Sequence, residues 1–206
     1  MTAGSTGQTV RNKYSKTSFL RDHLRKNSFP SDSYSSIFDS LTTPKSTLSP
    51  PTKHYSPKQL KQLLLPALLN LEAVDQSPRY HPEGDALYHS LQVYQLAYND
   101  TDDPELLAAA LFHDLGKAVD IPTHDMVGAR MLAGLVPARV VWLVEHHLDL
   151  LKHPSRTRKR LGGTSQLHDL EKLRQWDLGG RKTDIEVVDP QYAIDQVLIG
   201  LFPVSK

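Results

Sequence analysis

No cysteine occurs anywhere in the 206 residues. That absence excludes disulfide staples, thiolate metal sites and cysteine nucleophiles, and it fits a reducing compartment. No apolar run approaches the roughly 20 residues that span a bilayer, and no apolar stretch near the N-terminus marks a secretion signal. The expected localisation is therefore cytoplasmic, with no membrane partner. Charge of one sign is not in excess either. Lys and Arg number 24 against 23 Asp and Glu, a net +1, so no global field favours nucleic acid. Internal repeats are absent, and nothing reads as a sheet.

What is present is unevenly spread. Residues 1–56 hold most of the serine and threonine and few aliphatic clusters, so they bury too little apolar surface to offset the entropy of ordering. They read as a disordered extension; a secondary reading of the acid-poor start is an organelle transit sequence. From residue 57 to 206 the pattern turns helical. Ser56-Pro57 makes an N-cap and N1 pair, Asp85 an N-cap, Asp103-Pro104-Glu105 a start signal, and Asp189-Pro190 another. Gly116 reads as the stop of the helix that Asp103 opens, Pro137 starts a helix running to Leu151, and SRTRKRLGG reads as a basic loop. The expected fold class is all-α, a single bundle of about seven helices.

The informative residues are polar ones in apolar stripes. His89 lies three after Ala86 and four before Val93, so it faces the bundle interior. His113 follows Ala110 by three, Asp114 follows Leu111 by three, and Asp177 follows Leu173 by four, each on an inward phase. A lone inward histidine is usually a satisfied core residue. Several such histidines and carboxylates on separate helices point instead to a shared divalent cation, since a buried carboxylate is costly unless paired or metal-bound.

These residues carry a resemblance. His89, then His113-Asp114, then Asp177 resembles the H…HD…D signature of the HD superfamily of metal-dependent phosphohydrolases. HPEGDALYHSLQVYQLA, LAAALFHDLGKA, HDMVGARML and WDLGGR look like the HD domain of bacterial CCA-adding tRNA nucleotidyltransferases and related stand-alone proteins, over about residues 80–180. The resemblance implies a larger ligand set. His124 matches a second-metal histidine, and His146-His147 matches the double histidine that supplies another. Periodicity favours His147 and the family pattern His146; neighbours on a helix point about 100° apart, so both stay in the set. Asp114 would bridge two cations. Imidazole with carboxylate suits Mn, Fe, Co, Ni or Zn better than Mg. If His124 binds nothing, one cation remains.

Further roles implied are Lys117 facing a substrate phosphate and serving catalysis with Asp114, Lys117 or His147 assisting the leaving group, and His81 and Arg181 contacting substrate. Glu83 is expected beside His81 at the cleft mouth. Arg156, Arg158, Lys159 and Arg160 form the one dense basic run of the helical part and offer a weak RNA contact. The expected function is hydrolysis of a phosphomonoester or phosphodiester, from a small phosphorylated partner such as a nucleotide, by metal-activated water. A di-iron oxygenase and a non-catalytic nucleotide- or RNA-binding module are the alternatives. CCA addition itself is not expected, because no nucleotidyltransferase segment precedes the bundle, and no GYP follows the double histidine to suggest cyclic di-GMP.

Overall fold

A computed structural model describes residues 55–203; the extension expected to be disordered lies, but for its last two residues, outside the described residues. Among the described residues the chain forms α1 (Pro57–Leu69), α2 (Ala86–Tyr98), α3 (Pro104–Phe112), α4 (His124–Leu132), α5 (Ala138–His146), α6 (Asp149–Lys152), α7 (Pro154–Leu161), α8 (Ser165–Gly179) and α9 (Pro190–Leu201). Two 3-10 turns, Asn70–Ala73 and Leu115–Ala118, complete the regular structure, and no strand is present among these residues. None of the helices is long and apolar enough to cross a membrane.

Local chemistry sets most of the helix starts. Ser56 and Gln59 close a capping box around α1, with the Gln59 amide on Ser56 Oγ and the Ser56 amide on Gln59 Oε1. Asp85 accepts the Tyr88 amide, Asp103 those of Glu105 and Leu106, and Asp189 that of Gln191. Each of the last two precedes a proline whose fixed φ suits the first helical position.

Helix α3 is the centre of the bundle. It packs against α2, α5, α8 and α9, and every residue from Leu106 to Phe112 is buried. A helix that is apolar all round can only be internal. Its N-terminus is tied to two neighbours through Arg139 of α5, which donates to Asp103 at 2.8 Å and to Asp169 of α8 at 3.0 Å. Its C-terminus delivers His113 and Asp114 into the middle of the molecule.

Three boundaries differ from the sequence reading. The helix opened by Asp103 stops at Phe112 and does not run to Gly116, because Asp114 leaves α geometry (φ −99°, ψ 5°) and the chain tightens into the 3-10 turn. The helix after Pro137 breaks at His147, and a separate short turn, α6, follows. The basic stretch is a helix, α7, rather than a loop. Pro154 occupies its first turn, and buried Thr157 ties it to α6 by donating its hydroxyl to the Asp149 carbonyl at 3.2 Å. The break at His147 and the helical basic stretch together raise the helix tally above the expected seven.

Candidate metal centre

Five segments bring imidazoles and carboxylates to one buried point. α2 supplies His89, the end of α3 supplies His113 and Asp114, α4 supplies its first residue His124, the end of α5 supplies His147, and α8 supplies Asp177. His89, His113 and Asp114 are at most 2% exposed, deep enough that their polar atoms must be satisfied internally. Asp114 divides the group by its two oxygens. Oδ2 lies 3.4 Å from His113 Nε2 and 3.8 Å from His89 Nε2, and His89 Nε2 lies 3.1 Å from Asp177 Oδ1. Oδ1 lies 3.2 Å from His124 Nε2 and 3.9 Å from His147 Nε2.

The hydrogen bonds behind the rings fix which nitrogen faces inward. Nδ1 of His113 lies 3.0 Å from the Ala110 carbonyl, Nδ1 of His124 2.7 Å from that of Ile121, and Nδ1 of His147 2.7 Å from that of Val144. A carbonyl only accepts, so each Nδ1 carries a proton, and in its neutral form each ring turns an Nε2 lone pair to the centre. His124 and His147 then present two lone pairs to one another at 3.2 Å. That contact is repulsive unless a cation or an extra proton lies between them. His113 Nε2 is buried and makes no hydrogen bond. Both observations fit a divalent cation, for which converging imidazole and carboxylate donors are ordinary ligands.

Electrostatics across the centre are uneven. Burial pulls the His89 imidazole down, but hydrogen bonds to Asp177 and Glu83 outweigh it and lift the ring to about 9. Burial, followed by the positive field of His113, holds His147 down at about 4, so its lone pair stays available. Burial would raise the Asp114 carboxyl, yet the charges of His113 and Lys117 hold it well below the usual range. Asp177 is likewise depressed, burial being outweighed by its hydrogen bond with His89. A carboxylate just beyond a helix C-terminus meets the negative end of the dipole, and the surrounding cations offset that cost.

The remaining residues expected at the site divide clearly. Lys117 donates to Asp114 Oδ2 at 2.6 Å and to Gln76 Oε1 at 2.5 Å, so it reaches the centre itself. Arg181 donates to Asp177 at 3.2 Å and to the Tyr80 carbonyl at 3.3 Å. His81 is half-buried against Glu83, its Nδ1 2.8 Å from Oε1. Of the double histidine, His147 joins the centre and His146 does not. His146 pairs with Asp149 at 3.1 Å and packs at a tilt against Trp142. Glu83 is not at a cleft mouth: it is 1% exposed and lies behind His89, 2.9 Å from Nδ1. Along α7 the basic residues are exposed, with Arg158 paired to Glu171 and Arg160 to Asp149.

Sequence reasoning missed Gln76 and Gln92. Gln92 is buried and uses both ends of its amide on the backbone of Lys182, at 2.8 and 3.1 Å. It thereby pins the segment whose Gly180 carbonyl takes His89 Nδ1 at 2.9 Å. The spacing of Gln92, three after His89 on the same buried face, was a signal that could have been used. Gln76 lies in a polar loop and offered none.

Comparison with known proteins agrees with this geometry. The chain matches the HD domain family over residues 86–188, half its length. It is similar to the multifunctional CCA protein of Methylococcus capsulatus, 48% identical over 59 residues, which cover 29% of this chain and 14% of that protein. It is also similar to the multifunctional CCA proteins of Hahella chejuensis, 45% identical over 81 residues (36% and 19%), and Pasteurella multocida, 34% identical over 112 residues (48% and 26%). The chain thus spans at most about a quarter of the length of these relatives. An H…HD…D constellation whose central carboxylate presents one oxygen to each of two imidazole groups, together with the family match, makes the chain a member of the HD domain family, within the superfamily of metal-dependent phosphohydrolases.

Proposed function

We propose that the protein hydrolyses a phosphomonoester or phosphodiester at a centre holding two divalent transition cations. The observation that carries the reading is the split of Asp114, with Oδ2 toward His113 and His89 and Oδ1 toward His124 and His147. His89, His113, Asp114 and Asp177 would hold one cation, and Asp114, His124 and His147 the other. Mn, Fe, Co, Ni or Zn suits this donor set better than Mg. When bound, such cations activate water near neutral pH and offset charge on phosphoryl oxygens.

The chain's own groups do the rest. Lys117 and Arg181 lie on Asp114 and Asp177, the two carboxylates that bound cations would neutralise. With those carboxylates engaged elsewhere, the ammonium and the guanidinium are free to turn to phosphoryl oxygens and orient the ester. His81, half-buried beside His89, borders the same space. A small phosphorylated substrate, a nucleotide included, is the expected partner. The test is turnover of a broad phosphoester panel by protein stripped of metal and reloaded with Mn, Co or Ni. Hydrolysis that needs the metal and disappears in Asp114→Ala supports the reading. A loaded wild-type protein with no turnover across the panel refutes it.

A further inference from the structure

Four imidazoles turn Nε2 to the centre, and three of them are backed alike. His113, His124 and His147 each donate Nδ1–H to the carbonyl of the residue three earlier, a neutral and purely local acceptor. His89 differs. Its Nδ1 lies 2.9 Å from Glu83 Oε1, as close as its 2.9 Å contact with the Gly180 carbonyl. Glu83 is 1% exposed, and the same Oε1 receives His81 Nδ1 at 2.8 Å. The carboxylate is therefore held from two sides, with the His81 and His89 rings edge to face at 5.0 Å.

Resting on the two-cation reading above, we infer that the two halves of the centre are unequal, and that Glu83 is the positioning residue that makes the His89 half the tighter cation site. A carboxylate behind an imidazole locks the Nδ1–H tautomer and raises the donor strength of Nε2, more than a neutral carbonyl does. The His89 half also adjoins two carboxylates, Asp114 through Oδ2 and Asp177 through Oδ1, whereas among the described residues the ligand group of His124 and His147 includes one carboxylate, Asp114, through Oδ1. Lys117 competes for Asp114 Oδ2 at 2.6 Å. Asp177 and the Glu83-backed ring are the groups that outweigh it. Cations accordingly load in order, the His89 half first and the His124–His147 half second.

Calorimetric titration of metal-free full-length protein with Mn²⁺, and separately with Zn²⁺, tests this. Two resolved steps are expected in the wild type. Glu83→Gln weakens the first by about 10–100-fold and leaves the second unchanged, the range for loss of a partner behind a metal-bound histidine. His147→Gln removes the second step and spares the first. The melting temperature of each metal-free variant guards against misfolding. Should Glu83→Gln fail to fold, Glu83→Asp, which keeps the charge but draws it back from His89, is expected to weaken the first step alone. Equal steps in the wild type, or a Glu83 variant whose first step is unaltered, overturn the inference while leaving metal-dependent turnover intact. A wild-type protein that takes up no cation overturns the functional reading instead.

Discussion

Gly116→Ala is expected to damage half of the metal centre without touching a ligand. Gly116 lies in the 3-10 turn after Asp114, pressed against the start of α4. A Cβ there would stand 2.2 Å from the His124 carbonyl oxygen and 2.6 Å from the Gly128 amide nitrogen, against 3.4–4 Å for ordinary contact. Both obstacles are backbone, so no side chain can rotate away, and α4 must retreat by about 1 Å. Forced overpacking of this kind costs about 1–3 kcal/mol, which for a domain of this size lowers Tm by roughly 3–10 °C. The same retreat carries His124 Nε2 away from Asp114 Oδ1, now 3.2 Å distant, and a metal site tolerates only about 0.5 Å of displacement. Thermal melting of the metal-free protein, with elemental analysis per chain after loading, reads both effects. The expected result is a lower Tm and the loss of one cation of two, with the cation near His89 retained. A variant that melts like wild type and holds two cations would refute the close-packing argument.

Other expectations follow from the same geometry. His147→Gln should lose one cation per chain and His146→Gln none, since only His147 reaches Asp114; elemental analysis separates them. Phe112→Ala, at a fully buried position of the central helix, should cost about 3–5 kcal/mol in chemical denaturation. Burial raises the Asp103 carboxyl, but its hydrogen bond from Arg139 outweighs that and holds it below its ordinary value. The stabilisation is therefore complete above the unfolded carboxylate value of about 4 and fades as pH falls through the folded value. Arg139→Met should lower stability at neutral pH and flatten that acid limb, read from unfolding midpoints between neutral and acid pH.

Much of the architecture was legible from side chains acting within one turn of themselves. Ser56, Asp85, Asp103 and Asp189 each satisfy orphan amides of the turn that follows them, so these four helix starts follow from sequence. The inward phase of His89, His113, Asp114 and Asp177 was legible for a related reason, because a 3.6-residue repeat fixes which side of a helix a residue faces. The α7 helix was not legible. Its eight residues carry a strongly polar composition, and what anchors it is Thr157 on the Asp149 carbonyl, a contact between segments.

The residue pattern alone thus carried an all-helical bundle, the capped helix starts and a set of inward-facing imidazoles and carboxylates. Tertiary structure decided the rest. Which of His146 and His147 enters the centre depends on where α5 ends: His147 is its C-cap and donates Nδ1 to Val144, while His146 is drawn off by Asp149 and Trp142. Whether Glu83 meets substrate or backs His89 depends on how the loop before α2 folds over the ring. The split of Asp114 between two groups requires the chain to leave α geometry at that residue and α4 to close against Gly116. Periodicity specifies a face of one helix; which atoms meet across several helices is set by packing among residues far apart in the chain.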